Sequence, residues 1–217
     1  VRTWSEIYPP FGVAIRCGDV ELSALTPDVV PELVELAIAG TARPDTGYPF
    51  VTNWALLPPA ELRLSAAQFY FDTWGSARPE SWQLLMVVRR GGQLVGCQDL
   101  RATQFPATRI VHTGSWLGLA HQGRGTGTLM RQMVCAFVFD ALGAAQCRTE
   151  AFLDNPVSQR VSAKVGYERF DQRPVDRLGE PAEEVYFRMT AEQFNRPTEP
   201  VTFAGVDAFR RFIDLVD

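Results

Sequence analysis

Apolar and polar positions alternate in VAIRC and VELSAL, from Val13 to Leu25, on either side of Gly18-Asp19, a pattern that predicts a β-hairpin. Thr26 then stands as a helix cap with Pro27 in the first helical position, and Val29, Val30, Leu33, Val34, Leu36 and Ala37 recur at helical spacing up to a stop at Gly40. Between Thr41 and Pro59 the periodicity disappears, and four prolines, Gly47, Tyr48, Phe50 and Trp54 crowd one irregular stretch. Long irregular segments inside a compact domain are usually functional. A second helix is predicted from Ala60 to about Trp74.

Trp82–Arg90 and Gln93–Leu100 read as strands joined by Gly91-Gly92, a pair that accepts the positive φ angles of a tight hairpin. Arg109–Leu119 is a further strand, running into AHQGRGTG and a helix from Gly127 to Leu142. That helix carries Leu129, Met133 and Phe137 on one line, with Met130, Val134, Val138 and Leu142 beside it. So wide an apolar stripe suits a helix lying across a sheet. A strand over Gln146–Leu153, a short helix over Pro156–Val165 capped by Asn155 or Asp154, and strands near Glu168–Arg173 and Val185–Met189 complete the pattern. Thr190 and Gln193 form a small capping box. Beyond Thr198, the apolar positions Val206, Phe209, Phe212, Ile213 and Val216 make an amphipathic tail. No repeat, linker or low-complexity tract interrupts the chain, so residues 1–217 are expected to form one domain, with a core at about 11–190 and an extension at about 191–217.

Composition narrows the function classes. The chain has 217 residues, 46% of them hydrophobic and 21% charged, which excludes disordered and fibrous classes. Its net charge is −4, and clustered basic side chains are absent, so nucleic acid is not expected as a partner. No apolar run approaches a membrane span and no signal peptide is visible, so a cytoplasmic location without membrane contact is expected. Cys17, Cys97, Cys135 and Cys147 have no metal-ligand spacing, and only His112 and His121 could join them, so no metal is expected.

The strongest local signal is Gln122-Gly123-Arg124-Gly125-Thr126-Gly127, between a strand and a helix N-terminus. Glycines let the backbone approach a ligand closely, and the unpaired amides and dipole of the helix start favour a phosphate. Arg124 can add charge, although the same glycines could serve only as a tight connection. Gly127-Thr128 lacks the lysine of a P-loop. A dinucleotide fingerprint places its glycines differently, even though Glu150 lies near the distance of a ribose-binding acid.

Gln122, Gly125 and Gly127, opening a helix as Q-x-x-G-x-G, resemble the acyl-CoA-binding motif of the GNAT acyltransferase superfamily. The run DNPVSQRVSAKVGYERF, Asp154 to Phe170, is similar to the next segment of that family in its RimJ/RimL-like branch. GSWLGLAHQGRGTGTLM, together with F-x-D-N-P-x-S from Phe152 to Ser158 and the tail, is also similar to a mycobacterial GNAT-fold protein described as a succinyltransferase. The resemblance covers about residues 11–190. It implies a mixed α/β (α+β) fold, a twisted, mostly antiparallel central sheet with helices on both faces. It implies transfer of an acyl group from acetyl-CoA or succinyl-CoA to the primary amine of a small molecule or peptide, by direct attack in a ternary complex.

Site roles follow from the same resemblance. Backbone amides of Gln122, Gly123, Arg124, Gly125, Thr126, Gly127 and Thr128 would hold the CoA pyrophosphate. Trp116, Leu117 and Gly118 would pair their backbone with pantetheine, with a Leu117 amide serving the oxyanion. Asn155 would bond the pantetheine arm and Ser158 the departing thiolate; their plainer readings are a helix cap and a solvated helix position. Many relatives place a Glu on the strand before the loop, but HTGSWLGL has none, and Glu150, Asp99, His112 and Ser115 remain candidates for the base. Tyr48, Phe50, Trp54, Phe69, Tyr70 and Trp74 could wall the acceptor site, form a minor core or make a homo-oligomer interface. Arg43, Arg101 or Arg109 could meet a succinyl carboxylate. A non-catalytic acyl-CoA sensor and a dinucleotide-dependent enzyme are the alternative readings.

Overall fold

The computed structural model describes residues 1–43 and 46–215, and builds them around a nine-stranded sheet. In chain order the elements are helix Trp4–Ile7 (α1), strands Ala14–Cys17 (β1) and Val20–Ala24 (β2), and helices Val30–Ile38 (α2) and Pro59–Ser76 (α3). Strands Ser81–Arg90 (β3) and Gln93–Thr103 (β4) follow, then helix Phe105–Thr108 (α4), strand Ile110–Leu117 (β5) and helix Thr126–Ala136 (α5). The second half adds strand Gln146–Phe152 (β6), helix Pro156–Val165 (α6), strands Glu168–Arg177 (β7), Glu180–Met189 (β8) and Thr202–Ala204 (β9), and helix Val206–Phe212 (α7). The spatial order is β7-β8-β6-β5-β4-β3-β2-β1-β9. Every pairing is antiparallel except that of β5 with β6.

The near-continuous apolar run of β3 reflects its place in the middle of the sheet, where both faces are covered. Met86, Val88, Leu100 and Val111 pack against Met130, Met133, Val134 and Phe137 of the α5 segment on one face. Leu85, Val87, Leu94 and Cys97 meet Leu33, Val34, Leu62 and Tyr70 of α2 and α3 on the other. Gly91 and Gly92, with φ of 55° and 81°, close the β3–β4 hairpin as the sequence predicts.

Several boundaries move. The helix expected from Pro27 begins at Val30, because residues 27–29 form a separate turn in which Val29 N donates to Thr26 O. The helix expected to run to Leu142 turns into a wider π segment at Phe137–Ala141, with Leu142 N donating to Phe137 O. β7 and β8 extend well beyond the predicted strands, joined at Leu178 and Gly179, both at positive φ. Their outer halves are largely exposed and mostly charged, with Pro174 and Pro181 among them, so alternation gave no signal there. Thr190 N does bond Gln193 Oε1, but the segment is a turn with no helix after it. The tail is built into the fold. β9 pairs with β1, and Phe209, Ile213 and Leu215 are buried in the main core, while Val216 lies outside the described residues.

The parallel contact between β5 and β6 is short. It runs from Ile110–Gln146 to His112–Arg148 and stops, while β5 continues beside β4 to Leu117 and β6 beside β8 to Phe152. The two strands therefore part, leaving a wedge that opens toward the glycine loop. Among the described residues no helix is long and apolar enough to cross a membrane.

Candidate active site

The loop between β5 and α5 is shaped around its own amides. Gly123 and Gly125 take φ of 75° and 81°, a conformation that turns successive N–H groups to one side. The amides of Gly123, Arg124, Gly125, Thr126 and Gly127 donate to no group among the described residues. Gln122 N and Thr128 N, expected in the same set, are instead tied inside the loop, to Leu119 O at 3.4 Å and Gly125 O at 3.1 Å. Five free donors at the start of an eleven-residue helix form an anion cradle. The Arg124 side chain is exposed beside it.

Two side chains brace this loop, that of Arg90, which the sequence reading did not single out, and that of Gln122, which it named for its place in the motif. Arg90, at the end of β3, donates to Arg124 O at 2.9 Å and Thr126 Oγ1 at 3.0 Å. Gln122 Nε2 donates to Leu117 O at 3.0 Å and Thr41 O at 2.8 Å, fastening the end of β5 to the start of the irregular segment.

The register of β4 and β5 fixes which amides face the wedge. Gly118 N donates to Val95 O, and the two strands pair Cys97 with Trp116 and Asp99 with Gly114. Backbone groups alternate along an antiparallel strand, so Trp116 and Gly118 turn theirs to β4, whereas Leu117 and Ser115 turn theirs to the open side. Of the three residues expected to pair with pantetheine, Leu117 alone has its amide directed into the gap. Its Cδ1 and Val161 Cγ2 lie 3.7 and 4.0 Å from the position a Cβ on Gly127 would take, so β5, α5 and α6 converge there.

Asn155 is the N-cap of α6, its Oδ1 accepting from Ser158 N at 3.1 Å. That commits its carbonyl oxygen and leaves the amide N–H groups for a ligand. Ser158 sits half-buried one turn before the fully buried Ser162, at the mouth end of the helix's inward face, and among the described residues its hydroxyl has no hydrogen-bond partner.

Three of the candidate bases converge. Asp99, His112 and Glu150, from β4, β5 and β6, lie on the α3 face of the sheet, joined by Arg101. Arg101 pairs with Glu150 and stands 3.6 Å from Asp99, which also accepts from Gln83 Nε2 at 3.1 Å. Burial pushes the Asp99 carboxyl above its usual value, against the pull of Arg101. Burial would raise Glu150 too, but His112 and Arg101 outweigh it and hold the carboxyl low; the 3.9 Å between His112 Nδ1 and Glu150 Oε2 makes that contact electrostatic. Ser115, the fourth candidate, points to the other face and accepts from Arg131. A groove of about 530 Å³ reaches this cluster, lined by Phe69, Thr73, Gln83, Arg101 and His112.

The aromatic set divides. Tyr48, Phe50, Trp54 and Trp116 form a chain of rings with centroids 5.5, 4.7 and 5.8 Å apart, laying the irregular segment on β5. Tyr70 and Trp74 belong to the core beneath α3, and Phe69 lines the groove. The segment is clamped at its other end. Arg177 of β7 holds Asp154 through two bonds of 2.9 and 2.8 Å, donates to Tyr48 O at 3.2 Å and lies over the Phe152 ring. Of the arginines considered for a carboxylate, Arg101 is committed to Glu150, and Arg109 donates to Pro106 O and Leu142 O at the far end of β5.

All four cysteines are buried and free; Cys97, paired with Trp116, has its thiol pushed up by burial, which makes it a poor nucleophile. Among the described residues no group of three or more His, Cys, Asp or Glu could hold a metal ion.

Solved structures share this architecture. RimJ of Mycobacterium smegmatis, in complex with a CoA disulfide, is 18% identical, with a TM-score of 0.67 over 84% of this chain and 88% of that one. RimL, a ribosomal L7/L12 alpha-N-protein acetyltransferase in complex with coenzyme A, is 14% identical, with a TM-score of 0.62 over 79% and 94%. The microcin C7 self-immunity acetyltransferase MccE, in complex with acetyl-CoA and AMP, is 13% identical, with a TM-score of 0.60 over 79% and 92%. At these identities the likeness is one of fold. Residues 20–168, more than half of the chain, match the family described as the acetyltransferase (GNAT) domain, and the protein belongs to that family.

Proposed function

We propose that the protein is an acyl-CoA-dependent N-acyltransferase that takes an acetyl or succinyl donor and transfers it to the primary amine of a small molecule or peptide. The observation that carries this reading is the line formed by five free amides at Gly123–Gly127, the Leu117 amide facing the wedge, and the unpartnered Ser158 hydroxyl. The cradle suits the CoA pyrophosphate, the wedge the pantetheine arm, and the Asn155 amide N–H groups a carbonyl of that arm.

The chemistry fits the two faces of the wedge. The amine enters by the groove between α3 and the sheet, beside Asp99 and Glu150, which favour a cationic acceptor in its approach. The arriving ammonium gives one proton to solvent, and Asp99, whose pKa burial raises above its usual value, takes the second N–H proton as the nitrogen attacks, directly or through one water. The amine nitrogen attacks the thioester carbonyl, and the Leu117 N–H stabilises the oxyanion. Collapse breaks the C–S bond. The Ser158 hydroxyl hydrogen-bonds the departing thiolate, whose proton affinity is that of an ordinary thiol with a pKa near 8.5. The proton held by Asp99 balances the thiolate through solvent, giving an amide and free CoA.

Neighbours of this fold include an enzyme named for acetylating ribosomal L7/L12, which makes a protein N-terminus one acceptor worth testing here. The test is amine-dependent release of free CoA thiol from acetyl-CoA and succinyl-CoA, across peptide N-termini, polyamines and aminoglycosides. Release that rises and saturates with one of these amines supports the reading. Tight CoA binding without turnover on any amine would favour a sensor instead.

A further inference from the structure

The five amides of the cradle are not held alike. Gly125 O accepts from Thr128 N and Leu129 N, both at 3.1 Å. A peptide unit is planar and trans, so its C=O and N–H point opposite ways. With Gly125 O committed to α5, the Thr126 N–H is turned outward by the helix itself. The Gly125 N–H belongs to the preceding unit, whose carbonyl, Arg124 O, lies before the helix and accepts from no backbone amide among the described residues. Local structure therefore leaves its direction open. Reversing that unit would take Gly125 from its φ of 81° to the negative side, which glycine populates as readily. The reversed loop would put a carbonyl oxygen where the cradle needs a donor.

Arg90 settles the direction. It ends β3, and its Nη1 donates to Arg124 O at 2.9 Å and to Thr126 Oγ1 at 3.0 Å, two acceptors that bracket Gly125. The guanidinium is in turn aimed by Asp19 of the β1–β2 turn. Arg90 Nε donates to Asp19 Oδ2 at 3.0 Å, and Asp19 O accepts from Gly91 N at 2.8 Å. The side chains of this pair are 37% and 58% exposed, and so exposed an ion pair adds little stability. What the chain Asp19–Arg90–Arg124 supplies is orientation.

We propose that Arg90 is a positioning residue for the donor's pyrophosphate, holding Arg124 O toward β3 so that the Gly125 N–H stays turned into the cradle. The inference rests on the coenzyme reading above and assigns part of the affinity to a residue 34 positions from Arg124, outside the glycine motif.

The experiment compares the wild type with Arg90→Met, Arg90→Lys and Asp19→Asn, with folding checked by thermal unfolding. It measures calorimetric Kd for CoA, and kcat and KM with one amine for acetyl-CoA and for acetyl-pantetheine, which has the thioester but no pyrophosphate. Arg90→Met is expected to weaken CoA binding and raise the acetyl-CoA KM at least tenfold, the effect of one lost charge-assisted hydrogen bond. Its kcat with acetyl-CoA and its kcat/KM with acetyl-pantetheine should change less than threefold, because the reacting atoms are untouched. Arg90→Lys, with one ammonium in place of the fork, should lie between Arg90→Met and the wild type, and Asp19→Asn should lose less than Arg90→Met. The Kd ratio between Arg90→Met and the wild type should persist in 1 M salt, where charges are screened within about 3 Å.

Wild-type CoA affinity in a folded Arg90→Met protein overturns this assignment alone. An equal loss with acetyl-pantetheine does the same, by showing a general loosening of the site, and so does a Kd ratio that falls to one in salt, by showing charge without positioning. If the methionine variant does not fold, Arg90→Lys and Asp19→Asn decide: weaker CoA with acetyl-pantetheine spared supports the role, and wild-type affinity in both overturns it. Failure of the wild type to bind CoA overturns the coenzyme reading and this inference with it.

Discussion

Gly125→Ala separates the strain of the glycine loop from its use. Gly125 has φ of 81° and ψ of −14° as the residue capping α5, and a Cβ built on it meets nothing within 4 Å. The substitution therefore introduces no clash within the chain, and its folding effect is the cost of a side chain in the left-handed region, about 1–2 kcal/mol. For a domain of this size that lowers Tm by about 2–8 °C. Gly92 gives a matched control, because its φ is also 81° and its Cβ would also meet open space, but it lies in the β3–β4 turn and its amide is not one of the five in the cradle. Gly92→Ala should lose similar stability and bind CoA as the wild type does. In Gly125→Ala the new methyl stands where the pyrophosphate would approach, and loss of one charge-assisted hydrogen bond, about 1.5–3 kcal/mol, weakens CoA binding at least tenfold. Thermal unfolding and calorimetric titration of both variants measure the two effects separately. Unchanged CoA affinity in Gly125→Ala, or equal losses in both variants, would refute the assignment of the cradle.

Other parts of the site give distinct signatures. Ser158→Ala should lower kcat at least tenfold with little change in CoA Kd, since the hydroxyl acts on the leaving thiolate; equal loss of both would make it a structural residue. Asp99→Asn should lower kcat and remove an acid limb of the pH–rate profile. That limb rises with pH as the carboxyl ionises, through an apparent pKa above the usual carboxylate range because burial raises it; a wild-type profile with no such limb would remove Asp99 from the mechanism. Arg177→Met should raise the amine KM several-fold with CoA Kd unchanged, because it frees the segment around Tyr48 from Asp154. The Asp154 carboxyl is held low by its hydrogen bonds from Arg177, so the wild-type clamp is present above pH 4 or so and is lost as pH falls through the lowered pKa; amine KM in Arg177→Met should lack that acid dependence.

What the sequence made legible was whatever depends on local chemistry. The hairpin at Gly91-Gly92, the cap at Asn155 and the glycine loop all follow from residues a few positions apart, and the elements carrying them fall where the spacing predicts. The base cluster was legible only as separate candidates. Asp99, His112 and Glu150 lie on three strands, and only the register that sets Arg101 beside His112, and His112 beside Arg148, brings them together. Gln122 was legible in the motif, but its side-chain reach to Thr41 O, and that of Arg90 to Arg124 O, join segments far apart in the chain and are encoded in no local pattern. The burial of Arg131 was missed for a different reason. A charged residue within a helix reads as its solvated side, although Arg131 stands four before the buried Cys135 and seven before the buried Val138, on the inner stripe. The length of β7 and β8 was hidden because their outer halves are mostly charged and carry Pro174 and Pro181, leaving Val175 and Ala182 too isolated to show alternation, and β9 was hidden because three residues are too few to show it.

The central claim is that the cradle and wedge form a coenzyme A site, and calorimetric titration of the purified protein with free CoA tests it most directly. One CoA bound per chain, displaced competitively by acyl-CoA and weakened by Gly125→Ala but not by Gly92→Ala, is the result expected. Absence of CoA binding by the folded wild-type protein would contradict it.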